Sequence, residues 1–160
     1  MSKIYISYFY QIRFFKPYMI PLSTAVWDPK WFHDFKDTKY IFRDKNGVYN
    51  GVRVGKLAPK EHDDGRCRGR ENCNPPDPDN CNFLKYYREQ LDAIDFQWFL
   101  GRLDALGQHL KSKAGFSEEP VLVLIVYEAP SNPCSERGVL QQWFHDNGYE
   151  LEELNPKEFV

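Results

Sequence analysis

The hydrophobic pattern of this chain is densest at Val121 to Tyr127, seven apolar residues in a row. A Val-rich run of that length fits a strand buried on both faces of a parallel sheet. A polar turn follows, Glu128 to Arg137, and then Val139, Leu140, Trp143 and Phe144 recur at helical spacing up to Asn147-Gly148. Asn132-Pro133 has the form of an N-cap with proline at the first helical position, and Gly148 suits a left-handed C-terminal cap. Strand, polar turn and helix are therefore expected here, with Cys134, Ser135 and Arg137 in the first helical turn.

The flanking pattern repeats this alternation. Lys3 to Tyr10 is β-branched and aromatic and predicts the first strand. Tyr18 to Thr24 predicts a second, with Pro21 demoting it or marking a bulge. Asp28-Pro29 repeats the cap signal and predicts a short helix bearing Trp31, Phe32 and Phe35. Residues 40–54 predict a decorating hairpin turning at Lys45-Asn46-Gly47. Residues 60–82 are nearly devoid of apolar side chains, so they form an insertion that is either mobile or cross-linked. Phe83 to Ile94 and a second run capped by Asp95 and ending near Gly115 predict two helices, and Tyr149 to Leu154 predicts an edge or neighbouring strand. The expectation is one α/β domain over 1–160, a Rossmann-like three-layer sandwich on a mostly parallel sheet, with the hairpin and the cysteine-bearing insertion added to it.

Composition narrows the function. A net charge of -2 and a pI near 6.1 give no global field for holding nucleic acid, although local basic patches stay open. The 12 Phe, 10 Tyr and 4 Trp are foremost core material. No secretory signal and no membrane-length apolar run is present, so a soluble cytoplasmic protein is expected. The four cysteines are then thiols or metal ligands rather than structural disulfides.

Ligands of open parallel sheets bind beyond the carboxyl ends of the strands. That rule selects Ser7, Tyr8, Gln11 and Arg13 after the first strand, and Ser23 and Thr24 after the second. After Val121 to Tyr127 it selects Glu128, Asn132, Cys134, Ser135 and Arg137. A thiol in a first helical turn is favoured as thiolate, and an arginine fork suits phosphate or carboxylate. Three readings stay open: an anion site, a Cys134 nucleophile, or a small apolar Cys134 beside an Arg137 paired with Glu136 or Glu128. Glu128 is the candidate acid or base. His62, Cys67, Cys73 and Cys81 form a legitimate tetrahedral zinc set, but the spacing is irregular, so zinc and free thiols both stay open. Two functional classes follow. One is an enzyme or sensor of a small phosphorylated or nucleotide-like ligand. The other is a non-catalytic interaction protein whose charged insertion meets a host or nucleic-acid partner.

IYISYF near the start, Leu57-Ala58-Pro59, FLKYYREQLDAIDF and VLIVYEAPSNPCSERGVLQQWF run over nearly the whole chain. Together they resemble the domain-of-unknown-function family 488, in a phage- and bacteria-associated branch. The family's signature is an apolar strand, a Glu, a Pro-containing turn, and Cys-His-Arg before a helix carrying a Trp. Glu128, Pro130 and Trp143 match it. The Cys-His-Arg positions then fall on Ser135, Glu136 and Arg137, with Cys134 displaced by one, so only Arg137 matches in type. The resemblance implies a Rossmann-like fold, Arg137 as the retained functional residue, and an insertion particular to this branch. It implies no specific reaction.

Overall fold

The computed structural model describes residues 2–34, 49–60, 77–131 and 133–159. Six strands lie within them: β1 (Lys3–Tyr8), β2 (Met19–Ser23), β3 (Phe32–Asp34), β4 (Tyr49–Arg53), β5 (Val121–Val126) and β6 (Glu152–Glu153). They form one sheet in the order β3-β4-β2-β5-β1-β6. Every pairing is parallel. Among the described residues three α-helices complete the α/β fold: α1 (Asn82–Asp92), α2 (Phe96–Ala114) and α3 (Glu136–Asp146). The architecture is that of a Rossmann-like sandwich.

β5 organises the core. All six of its residues are buried, which only a central strand covered on both sides permits. Leu122, Leu124 and Val126 face the helices, packing with Leu91, Leu103, Leu140, Trp143 and Phe144. Val121, Val123 and Ile125 face the other way, toward Phe9, Ile12, Met19 and Phe32. A 3-10 turn at Phe9–Phe14 and loop aromatics cover that second face, and no α-helix lies there among the described residues.

Local chemistry accounts for most element ends. Asp95 caps α2 by accepting from the Trp98 N–H at 3.0 Å. Gly115, at φ 78°, ends α2 in the left-handed region where a Cβ is costly. Tyr87 is buried against Leu57 and donates its hydroxyl to the Leu57 carbonyl. Burial, and next the Glu136 carboxylate, push that phenol well above its ordinary pKa.

Four expectations need correction. Pro21 does not demote β2, which sits between β4 and β5. The Thr24 N–H donates to the Ile125 carbonyl and the Tyr18 carbonyl accepts from the Val121 N–H, so by alternation the even residues bond β5. Pro21 is out of phase and faces β4, whose pairing with β2 begins only at Leu22, so its missing donor is not needed. Second, the segment after Asp28-Pro29 is not a helix. Phe32–Asp34 is β3, paired with β4, and the Asp28 carboxylate serves Ser23 and Arg53 rather than a helix start. Third, the second arm of the expected hairpin is β4 itself, inside the parallel sheet between β2 and β3. The arm's supposed partner and its Asn-Gly turn lie outside the described residues. Fourth, α3 starts at Glu136, with Ser135 as its cap. Cys134 therefore precedes the helix and is buried.

At the far end of α3, exposed His145 pairs with Glu150. The Glu150 hydrogen bond, then its charge, raise the imidazole pKa above the ordinary value. A raised folded-state pKa contributes stability below the unfolded value, near pH 6.5, and that contribution is lost as pH rises through the folded one. A pH titration of the His145 ring by NMR is expected to show a midpoint above the ordinary histidine range. Glu150→Gln should return it toward that range, and an unchanged midpoint contradicts the pairing.

Candidate functional site

Two adjacent strands send the chain in opposite directions. From β2 it runs outward to β3 and β4, whereas from β5 it runs through α3 to β6 beyond β1. The loops leave over opposite faces, the first among Ala25, Trp31 and Phe32, the second into α3 against the helical face. The carboxyl-end rule for open parallel sheets places a binding crevice at such a divergence, at the carboxyl ends of the two strands. Its floor is tied, since the Thr24 N–H and Oγ1 both donate to the Ile125 carbonyl at 2.9 Å.

On the β5 side one connected network holds the lip. Ser135 Oγ donates to Glu128 Oε2 at 3.1 Å and accepts from the Arg137 N–H at 3.1 Å. Arg137 is only 5 % exposed. Its Nε donates to Glu153 Oε1 at 2.8 Å and its Nη2 to Glu153 Oε2 at 3.3 Å, a bidentate pairing. Its Nη1 donates to the Glu128 carbonyl, and its guanidinium carbon lies 5.7 Å from the Tyr8 ring centroid. The Tyr8 hydroxyl in turn accepts from Gln11 Nε2 at 3.2 Å. Tyr8, Gln11, Glu128, Ser135 and Arg137, chosen from separate segments, thus converge.

On the β2 side a second cluster stands that the sequence reading missed apart from Ser23. Ser23 Oγ donates to Asp28 Oδ1 at 2.5 Å. Arg53 Nη1 pairs with Asp28 Oδ2 at 2.7 Å, and Arg53 Nη2 donates to the Ala25 carbonyl at 3.0 Å. The Arg53 N–H donates to Asp34 Oδ2 at 3.2 Å. Arg53 ends β4 and Glu153 ends β6. The carboxyl-end rule selects Arg53 once its segment is assigned to the sheet, and it could have selected Glu153 from the strand already expected over Tyr149 to Leu154.

The remaining candidates separate from these groups. Ser7 is fully buried, and its Oγ has no hydrogen-bond partner among the described residues; Gln11 Oε1 is in the same position. Ser7 and Ser23 flank Ile125 in one register row. Arg13 lies over the Tyr10 ring at 4.1 Å and donates to the Tyr10 carbonyl at 2.9 Å. Cys134 is enclosed ahead of the helix rather than in its first turn, so the placement that motivated an activated nucleophile is not the one found. Asn132 lies outside the described residues, as do His62, Cys67 and Cys73. Cys81 is buried at the start of α1. Among the described residues no group of three or more His, Cys, Asp or Glu could hold a metal ion. None of their helices is long and apolar enough to cross a membrane.

Arg137 is committed to Glu153 rather than open to a ligand. A double-mutant cycle with Arg137→Ala and Glu153→Ala should return a coupling of roughly 1–2 kcal/mol, as charge-assisted bidentate hydrogen bonds do. A coupling near zero is the contrary result. Compared with protein-family models, curated proteins and solved structures, the chain matches none.

Proposed function

We propose that this protein binds a small nucleotide-like ligand in the crevice between β2 and β5. The observation that carries the reading is the placement of two exposed aromatic side chains. Trp27 is 74 % exposed on the loop after β2, and Tyr127 is 50 % exposed at the end of β5. Single exposed aromatics are ordinary, but these two rise from the two loops that diverge at the crevice. Rings so placed offer stacking surface to a planar heterocycle. Glu128, held by Ser135, is the group that would act as acid or base if the ligand is processed. If the chain belongs with family 488, Arg137 serves that site from behind, by fixing Glu128 and Glu153.

Thermal shift against nucleosides, nucleotides and sugar phosphates tests the proposal. At a ligand concentration about a hundred times Kd, binding stabilises by about 2.7 kcal/mol, or roughly 5–10 °C for a domain of this size. The double variant Trp27→Ala/Tyr127→Ala should lose that shift while lowering the unliganded Tm only modestly, since Trp27 is exposed and Tyr127 gives up an edge-on contact with Phe9. No shift in the parent protein across the panel favours the rival class, a non-catalytic interaction protein.

A further inference from the structure

Building on that reading of the crevice, we infer that its ligand is recognised as an uncharged or cationic planar heterocycle, a nucleoside rather than a phosphorylated nucleotide. The charge at the two lips points this way. The β5 lip carries Glu128 and Glu153 around a single arginine, Arg137. On the β2 side Arg53 is held by Asp28 through its guanidinium and by buried Asp34 through its N–H. Both guanidinium groups are already spent on carboxylates and backbone carbonyls. A phosphate entering here meets carboxylates first.

The N-terminus of α3 offers a phosphate little more. Its Arg137 N–H is taken by Ser135 Oγ, and its positive end is already met by Glu136 in the first turn and Glu128 beside the cap. Arg13 is folded onto Tyr10. Lys30, exposed on the loop after β2, can follow a phosphate only as a solvated point charge, which salt screens.

The same groups suit a nucleobase. Trp27 and Tyr127 supply ring faces, and carboxylate oxygens accept from exocyclic amino and ring N–H groups. Independently of the charges, Ser7 Oγ, one strand over in the row Ser7–Ile125–Ser23, is buried without a partner among the described residues. A hydroxyl left that way is costly, and since Ser7 has no exposed surface a nucleoside could satisfy it only through an intervening water.

The test is calorimetry of the full chain with adenosine, guanosine, cytidine and uridine and the four 5′-monophosphates, at low and physiological salt. The best nucleoside should bind about tenfold more tightly than its monophosphate at low salt, the scale of one surface-strength charge repulsion. The gap should shrink as salt rises and should also narrow in Glu128→Gln. A monophosphate that binds as well as or better than its nucleoside overturns the inference while leaving the crevice as the site. A gap indifferent to salt and to Glu128→Gln overturns its electrostatic basis. Silence from all eight compounds overturns the crevice reading and this inference together.

Discussion

Trp143→Ala is expected to lower the melting temperature by about 10 °C. The indole is 1 % exposed and meets Phe96 at 5.1 Å, Phe144 at 5.5 Å and Phe99 at 5.8 Å between ring centroids. It is the point where α3 and the start of α2 close over the sheet. Removing a fully buried aromatic costs roughly 3–5 kcal/mol, transfer and cavity together. In a domain of this size each kcal/mol moves Tm by about 2–4 °C. Differential scanning calorimetry measures it directly. A fall of less than about 3 °C contradicts the packing described, because only a side chain outside the core is removed so cheaply. Trp143→Phe, which keeps a ring in the site, should lose less.

Gly51→Ala should be comparably damaging, for an unrelated reason. A Cβ at position 51 would stand 2.4 Å from the Pro21 carbonyl oxygen and 2.5 Å from the Phe32 ring. The ring can turn, but the carbonyl belongs to the neighbouring strand and cannot. Overpacking of this kind costs about 3 kcal/mol and acts where β4 meets β2 and β3. Because β4 ends in Arg53, the same variant should also release the Asp28 pairing and disturb the β2 lip. Chemical denaturation reads the stability change, and amide shifts at residues 23–28 read the second. A variant of parental stability means that β4 is not seated between its neighbours.

These two predictions differ in how far the sequence foretold them. Trp143 was legible, because Leu140, Trp143 and Phe144 repeat with the helical period and that period needs no tertiary knowledge. Asp95 and Gly115 were legible too, since caps are local chemistry. Gly51 was not, because its requirement comes from Pro21 on another strand. Asp28-Pro29 and Asn132-Pro133 misled for one shared reason. A cap motif states what a side chain can do locally, and at Asp28 the carboxylate has better partners in Ser23 and Arg53. Beyond Pro133 the true cap is Ser135. β3 has only three residues, too few to show a period of two against the aromatic spacing that resembled a helix.

The site was half legible on the same grounds. Tyr8, Gln11, Glu128, Ser135 and Arg137 follow from strand ends and do converge. Glu153, sixteen residues from Arg137, decides whether that arginine is open or occupied, and nothing in the spacing of Arg137 announces it. The anion-clamp expectation did not foresee this long-range pairing. Asp28 and Arg53 were passed over because their segments were assigned to a helix and a hairpin. Correct strand assignment restores both.

The central claim is the place of binding, between the loops that leave β2 and β5. Amide chemical-shift mapping during titration with the tightest-binding nucleoside tests it most directly. The account predicts perturbations gathered at residues 23–28 and 127–131, with the α1–α3 groove around Leu84, Lys85 and Val139 unmoved. Shifts concentrated in that groove, or confined to residues remote from both loops, contradict it.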